Sequence, residues 1–136
     1  MLPRVSRKVL VSVATVVMLM SGTWTSARAQ QGPIAPELAG LGTVHMPVTT
    51  SVAQAQRFFD QGLRLLYAFN HAGAIRAFRV AGGLDFDLAM AYWGEALALG
   101  PNLNAPMSLE NGRQAYAAVQ RAVARAGRAT PREQAL

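Results

Sequence analysis

Between Ala55 and Phe69, small or apolar residues recur at a spacing that only one kind of backbone can place on a single face. Ala55, Phe58, Phe59, Gly62, Leu65, Leu66 and Phe69 stand at i, i+3, i+4, i+7, i+10, i+11 and i+14. A helix of 3.6 residues per turn gathers these positions into one stripe, whereas a strand would scatter them over both faces. Leu63 and Tyr67 widen the stripe, so the spacing predicts a helix buried on two sides. Ser51-Val-Ala-Gln54 just before it matches a capping box, in which a side-chain oxygen accepts from a free amide and the Gln reaches back.

Three further helices follow by the same logic. After a turn at Asn70-His71, Ala74, Ile75, Ala77, Phe78 and Ala81 face inward while Arg76 and Arg79 face out. Gly82-Gly83 is expected to stop this second helix, because glycine takes the left-handed conformation that closes a helix end. Asp85 to Asp87 suits the start of a third, Ala-rich helix over 88–99, which ends at Gly100-Pro101. Beyond the loop to Pro106, Ser108 is placed to cap a fourth, over 109–126, stopped by Gly127. No segment alternates with a period of two, so the fold class is all-α.

The helices come as two similar pairs. A shift of 34 residues aligns Phe58 with Tyr92, Gly62 with Ala96 and Leu65 with Leu99. For the second helix of each pair, Ala74 aligns with Ala115, Phe78 with Val119 and Ala81 with Ala122, the added length falling in the 100–106 loop. At these residues the chain resembles the tetratricopeptide repeat (TPR) family. The family pattern of an aromatic, a small residue four later, then Ala-x-x-x-Phe and a further Ala is met by Phe58, Gly62, Ala74, Phe78 and Ala81. It departs from the pattern at Phe86, where the family has proline, and in the weaker second copy. Tyr67-Ala-Phe-Asn-His71 and Ala89-Met-Ala-Tyr-Trp-Gly94, with Gly100-Pro-Asn102, are also similar to exported bacterial proteins that carry such repeats. The resemblance implies antiparallel helix pairs over 51–127 stacked as a short α-solenoid, binding a protein or peptide on its concave face. Phe59 and Trp93 each stand one residue after the aromatic of the family pattern. They are expected, with Leu63 and Tyr67, to line that groove, although aromatics at helical spacing are more often core.

The two ends carry different signals. Arg4, Arg7 and Lys8 precede an unbroken apolar or small stretch, Val9 to Met20, and Ala27-Arg28-Ala29 offers small residues around a cleavage point. This is the layout of a signal peptide over 1–29. A membrane span needs about 20 apolar residues, and this stretch is broken by Ser21-Gly-Thr23. The expected destination is the periplasm or the exterior of a bacterium, with membrane contact only during export. Residues 30–50, punctuated by Pro33, Pro36 and Pro47, read as an extended lead-in. At the other end, Thr130-Pro131-Arg132-Glu133 is a strong helix start, and the chain stops at Leu136. Residues 128–136 are therefore expected to begin a further helix, as in the N-terminal piece of a longer repeat protein.

Composition narrows the function classes. The net charge of +6 invites a nucleic-acid reading, yet four of the 13 basic residues lie in the first 29 positions. The remaining nine face seven acidic residues and form no basic run interleaved with aromatics, so nucleic acid is not an expected partner. There is no cysteine, no lysine after Lys8 and no nucleophile elbow, so no enzyme activity and no cofactor are expected. His45 and His71 could act as metal ligands with Asp60, Asp85 or Asp87, but no spacing sets two ligands on one helix face. A turn histidine bonding to the carbonyls of the preceding helix is the simpler reading of His71. The alternative to a binding scaffold is the N-terminal repeat region of an exported metal-handling or redox protein with its chemistry further along.

Overall fold

The structure, a computed structural model, describes residues 34–136. The signal peptide expected over 1–29 lies outside the described residues. Five α-helices follow one another: α1 (Ala53–Tyr67), α2 (His71–Leu84), α3 (Ala89–Leu99), α4 (Leu109–Val123) and the short α5 (Pro131–Gln134). A 3-10 turn, Ala126–Arg128, separates the last two. Among the described residues there is no β-strand, only an isolated bridge between Asn102 and Ala105. Each of the first three helices packs on the next, α3 also touches α1, and the 3-10 turn touches both α4 and α5.

The α1–α2 turn is built by hydrogen bonds rather than by glycine. The Asn70 amide donates to the Leu65 carbonyl and the Phe69 amide to that of Leu66. This double closure is the Schellman pattern, and it places Phe69 at φ 58°, a region that costs a non-glycine residue about 1 kcal/mol. Asn70 then accepts from the Gly73 amide and caps α2. At the other end of α1 the expected capping box does not form. The helix starts at Ala53 with Val52 as its cap residue, and the Val52 amide is taken by the Thr50 hydroxyl instead.

α2 runs through Gly82-Gly83 to Leu84, so that glycine pair is not a stop. Gly82 answers a packing need. A Cβ there would lie 3.3 Å from the Tyr92 ring, which crosses α2 at that point. The stop comes at Asp85, where the backbone turns extended. Ser108 caps α4 as expected, accepting from the Asn111 amide, and the regular helix ends at Val123, short of the expected 126.

The core is organised around one ring. Phe78 of α2 is 1% exposed and wedged between α1 and α3 at two glycines. A Cβ on Gly62 would lie 2.6 Å from the ring, and one on Gly94 would lie 2.5 Å away. Phe59 completes the contact, with ring centroids 5.6 Å apart. Small residues at these points bring three helices close enough for one aromatic side chain to touch all of them.

Polar groups tie the flanks. Glu95 of α3, 3% exposed, accepts from Arg79 of α2 at 2.7 Å and from Arg121 of α4 at 3.1 Å. Arg125, two residues beyond α4, lies over the rings of Phe86 and Tyr92, its guanidinium 4.2 and 4.8 Å from their centroids. The lead-in is laid along the polar side of α1. Gln61 accepts from the Leu38 amide and donates to the Pro36 carbonyl, and Gln56 treats Val48 and Met46 in the same way. Each carboxamide thus satisfies one donor and one acceptor of an extended backbone that has no strand partner.

Candidate functional site

α4 has three faces. Ala118 is fully buried on the side of α4 that packs into the fold. Gln114 bonds to Arg79 of α2, Arg121 to Glu95 of α3, and Arg125, just beyond α4, to the Phe86 carbonyl of the α2–α3 connection. The third face carries Gly112, Ala115, Tyr116, Val119, Ala122 and Val123, and Ala126 of the 3-10 turn continues it, at the same offsets as the Ala55 to Phe69 stripe. Here the stripe is left open. Tyr116 is 68% exposed, Val123 63% and Val119 43%.

This face and the adjoining side of α3 form a groove of about 660 Å³. Trp93, Leu97 and Gly100 supply its α3 wall, Met107 lies at one end, and Leu136 belongs to the C-terminal end. Its only charged side chain is Glu133, which is turned to hydrogen-bond partners of its own. The groove therefore offers burial of apolar surface and little else.

Of the four residues expected to line a groove, the structure brings only Trp93 to this one. Phe59 is fully buried against Phe78 and Leu63 is 5% exposed, so both are core residues that no partner reaches. Tyr67 is 68% exposed at the end of α1 and is not on the groove wall. The residues 34 places after Phe59 and Leu63 are Trp93 and Leu97, and those do line the groove. Phe59 is covered by Phe78 of α2, whereas no described residue covers the face that carries Trp93 and Leu97. Tyr116, Val119 and Val123 were missed. Their signal was the apolar stripe at helical spacing on the fourth helix.

Neither histidine enters a ligand set. His45 Nδ1 lies 2.7 Å from Asp60 Oδ2, and Asp60 also accepts from the Met46 amide and from Gln56. His71 Nδ1 lies 3.1 Å from the Phe69 carbonyl. Asp85 accepts from the Thr50 hydroxyl, and Asp87 pairs with Arg128. Among the described residues no three His, Cys, Asp or Glu side chains come together as a metal site would require.

The C-terminal end of the groove is held by a single carboxylate. Thr130 and Glu133 form the expected capping box at α5, and Glu133 also reaches Thr49 of the lead-in, 84 residues away. Burial pushes the Glu133 carboxyl up, but hydrogen bonds from the Thr49 hydroxyl and amide and from Thr130 outweigh it and hold the carboxyl below its ordinary value. A depressed carboxyl adds stability above its unfolded pKa, and that stability is lost as the pH falls through the folded pKa. Acidification is thus expected to release α5 from the lead-in at a cost of about 1–2 kcal/mol. The Thr49 and Thr130 amide resonances should titrate together, with a midpoint below the ordinary glutamate value, and Glu133→Gln should abolish that titration. Amide shifts that stay flat in the parent chain would show that the contact does not hold the tail.

Comparison with protein-family models, with characterised proteins and with solved structures gave no match. Among the described residues no helix is long and apolar enough to cross a membrane.

Proposed function

We propose that the chain is an exported TPR-type scaffold, an α-solenoid of stacked helix pairs, that binds a protein or peptide partner in the groove along α3 and α4. One observation carries the reading: a helix face with the stripe pattern of a core helix lies open beside Trp93. The residue patterns shared with TPR proteins support the solenoid, and the Arg4 to Ala29 segment supports export. The walls fit an apolar, preferably helical segment, since facing helices interlock through side chains spaced as on α4. Tyr116 and Trp93 are the aromatic anchors at which binding energy concentrates.

A photoreactive residue in place of Tyr116, in the full chain within its producing cell, should give a discrete adduct to another polypeptide. The same residue in place of Ala117, which is off the groove wall, should give none. In binding measured with that polypeptide, Tyr116→Ala should weaken affinity at least about tenfold while leaving the fold intact, as removal of an anchor does. No adduct from position 116, or equal adducts from 116 and 117, would remove the groove from the function.

A further inference from the structure

We infer that Asn111 is a site of spontaneous deamidation, and that the Ser108 cap of α4 sets how fast it proceeds. Of the four asparagines in the chain, only Asn111 is followed by glycine. The reaction requires the next residue's amide nitrogen to reach the side-chain carbonyl carbon. A Cβ on that residue hinders the approach, and glycine has none. His71, Leu103 and Ala105 follow the other three asparagines. The side-chain oxygens of Asn70 and Asn102 are also engaged, by the Gly73 amide and by the amides of Asn104 and Ala105.

The step needs no co-reactant but water. The Gly112 nitrogen attacks Asn111 Cγ, the new N–Cγ bond closes a cyclic imide, and the Cγ–Nδ2 bond breaks. Nδ2 leaves as ammonia with the proton that the Gly112 nitrogen gives up. Water then opens the imide. Cleavage between the nitrogen and Cγ gives aspartate, and cleavage at the main-chain carbonyl gives isoaspartate. An amide and a water become a carboxyl and ammonia, with no change of oxidation state.

The fold controls when this can happen. Asn111 and Gly112 are half-buried in the first turn of α4. Closing the imide takes the Asn111 ψ away from its helical value and the Gly112 amide away from its helical partner. Ser108 holds both places. Its carbonyl accepts from the Gly112 amide at 2.9 Å, and its hydroxyl accepts from the Asn111 amide at 3.0 Å. Glu110 pins the same turn by accepting from Gln114 at 2.8 Å. Reaction therefore proceeds through the opened turn, and helix ends open more readily than helix interiors.

The two products differ in consequence. Aspartate at 111 sets a negative charge in the first turn, where a helix N-terminus favours it. Isoaspartate lengthens the main chain by a methylene and spoils the spacing that Ser108 bridges. Met107 and Gly112 both line the groove, so the isoaspartyl form alters the wall at that end.

The full chain is incubated at neutral pH, and aspartyl and isoaspartyl products are mapped by peptide mass spectrometry. Conversion is expected at Asn111, ahead of Asn70, Asn102 and Asn104. Ser108→Ala should speed it roughly fivefold, the rise in opened turn that loss of a cap allows, and hydrogen exchange of the Gly112 amide should quicken by the same factor. Ser108→Asp keeps a capping oxygen and should restore the parent rate. Gly112→Ala should slow conversion at least about tenfold through its added Cβ. That Cβ would meet Met107 Cε at 3.6 Å, an ordinary contact, so the variant keeps the fold. No conversion at Asn111 even in Ser108→Ala, or conversion led by another asparagine, would overturn the site. Faster exchange in Ser108→Ala without faster conversion would overturn control by the cap. A Gly112→Ala chain that converts at the parent rate would overturn the imide route.

Discussion

Phe78→Ala is expected to lower the unfolding free energy by about 3–5 kcal/mol, the range for truncating a buried aromatic ring. Domains of this size are stable by only ~5–15 kcal/mol, so the variant should stand close to unfolding in denaturant titration. The reason is specific to this fold, because the ring is the one side chain that touches α1 and α3 together at their glycines. The same geometry sets the glycine variants. Gly62→Ala and Gly94→Ala would each gain up to about 1 kcal/mol of helix propensity. Each must also push a wedged ring away from a Cβ at 2.6 or 2.5 Å, and overpacking costs ~1–3 kcal/mol. A net loss is expected for both, with partial recovery when Phe78→Leu is added to Gly94→Ala. Gly83→Ala meets no atom within 4 Å and should gain about 0.5–1 kcal/mol. Should Gly94→Ala match the gain of Gly83→Ala, the ring does not couple the three helices.

The second large effect lies at Glu95. Removing either arginine alone leaves the other as a partner, so Arg79→Ala or Arg121→Ala should cost little. Removing both strands a carboxylate that is 4% exposed. Breaking a buried pair in this way costs ~3–5 kcal/mol, reduced here to about 2–4 because the arginines are themselves 40% and 46% exposed and water can take part of their place. Adding Glu95→Gln to the double variant should recover most of the loss, since the uncompensated charge is then gone. Equal stability with and without that third change would mean that the arginines act by packing alone.

How far each part could be read from sequence follows from the range of the interactions. The Asn70, Ser108 and Thr130 caps are contacts across three residues, and their side chains sit in the string where the physics needs them. The glycine pair at 82–83 shows the limit of that logic. The local rule stops a helix at glycine, but Gly82 serves Tyr92 ten residues on, and the helix continues. Phe59 and Leu63 show it again. Their positions on the helix suited a groove, and whether they lined one depended on which pair another helix would cover.

The period, the caps and the breaks belong to the string itself, and they set four main helices, their order and the all-α class, because a helix bonds residues three or four apart. Tertiary structure decided which faces those helices close. It wedged Phe78 between two glycines 32 positions apart, laid the lead-in along Gln56 and Gln61, and brought Glu133 back to Thr49. It also left the stripe of α4 open beside Trp93. Burial is a relation between distant segments, so a periodic face announces that something must cover it without naming what does.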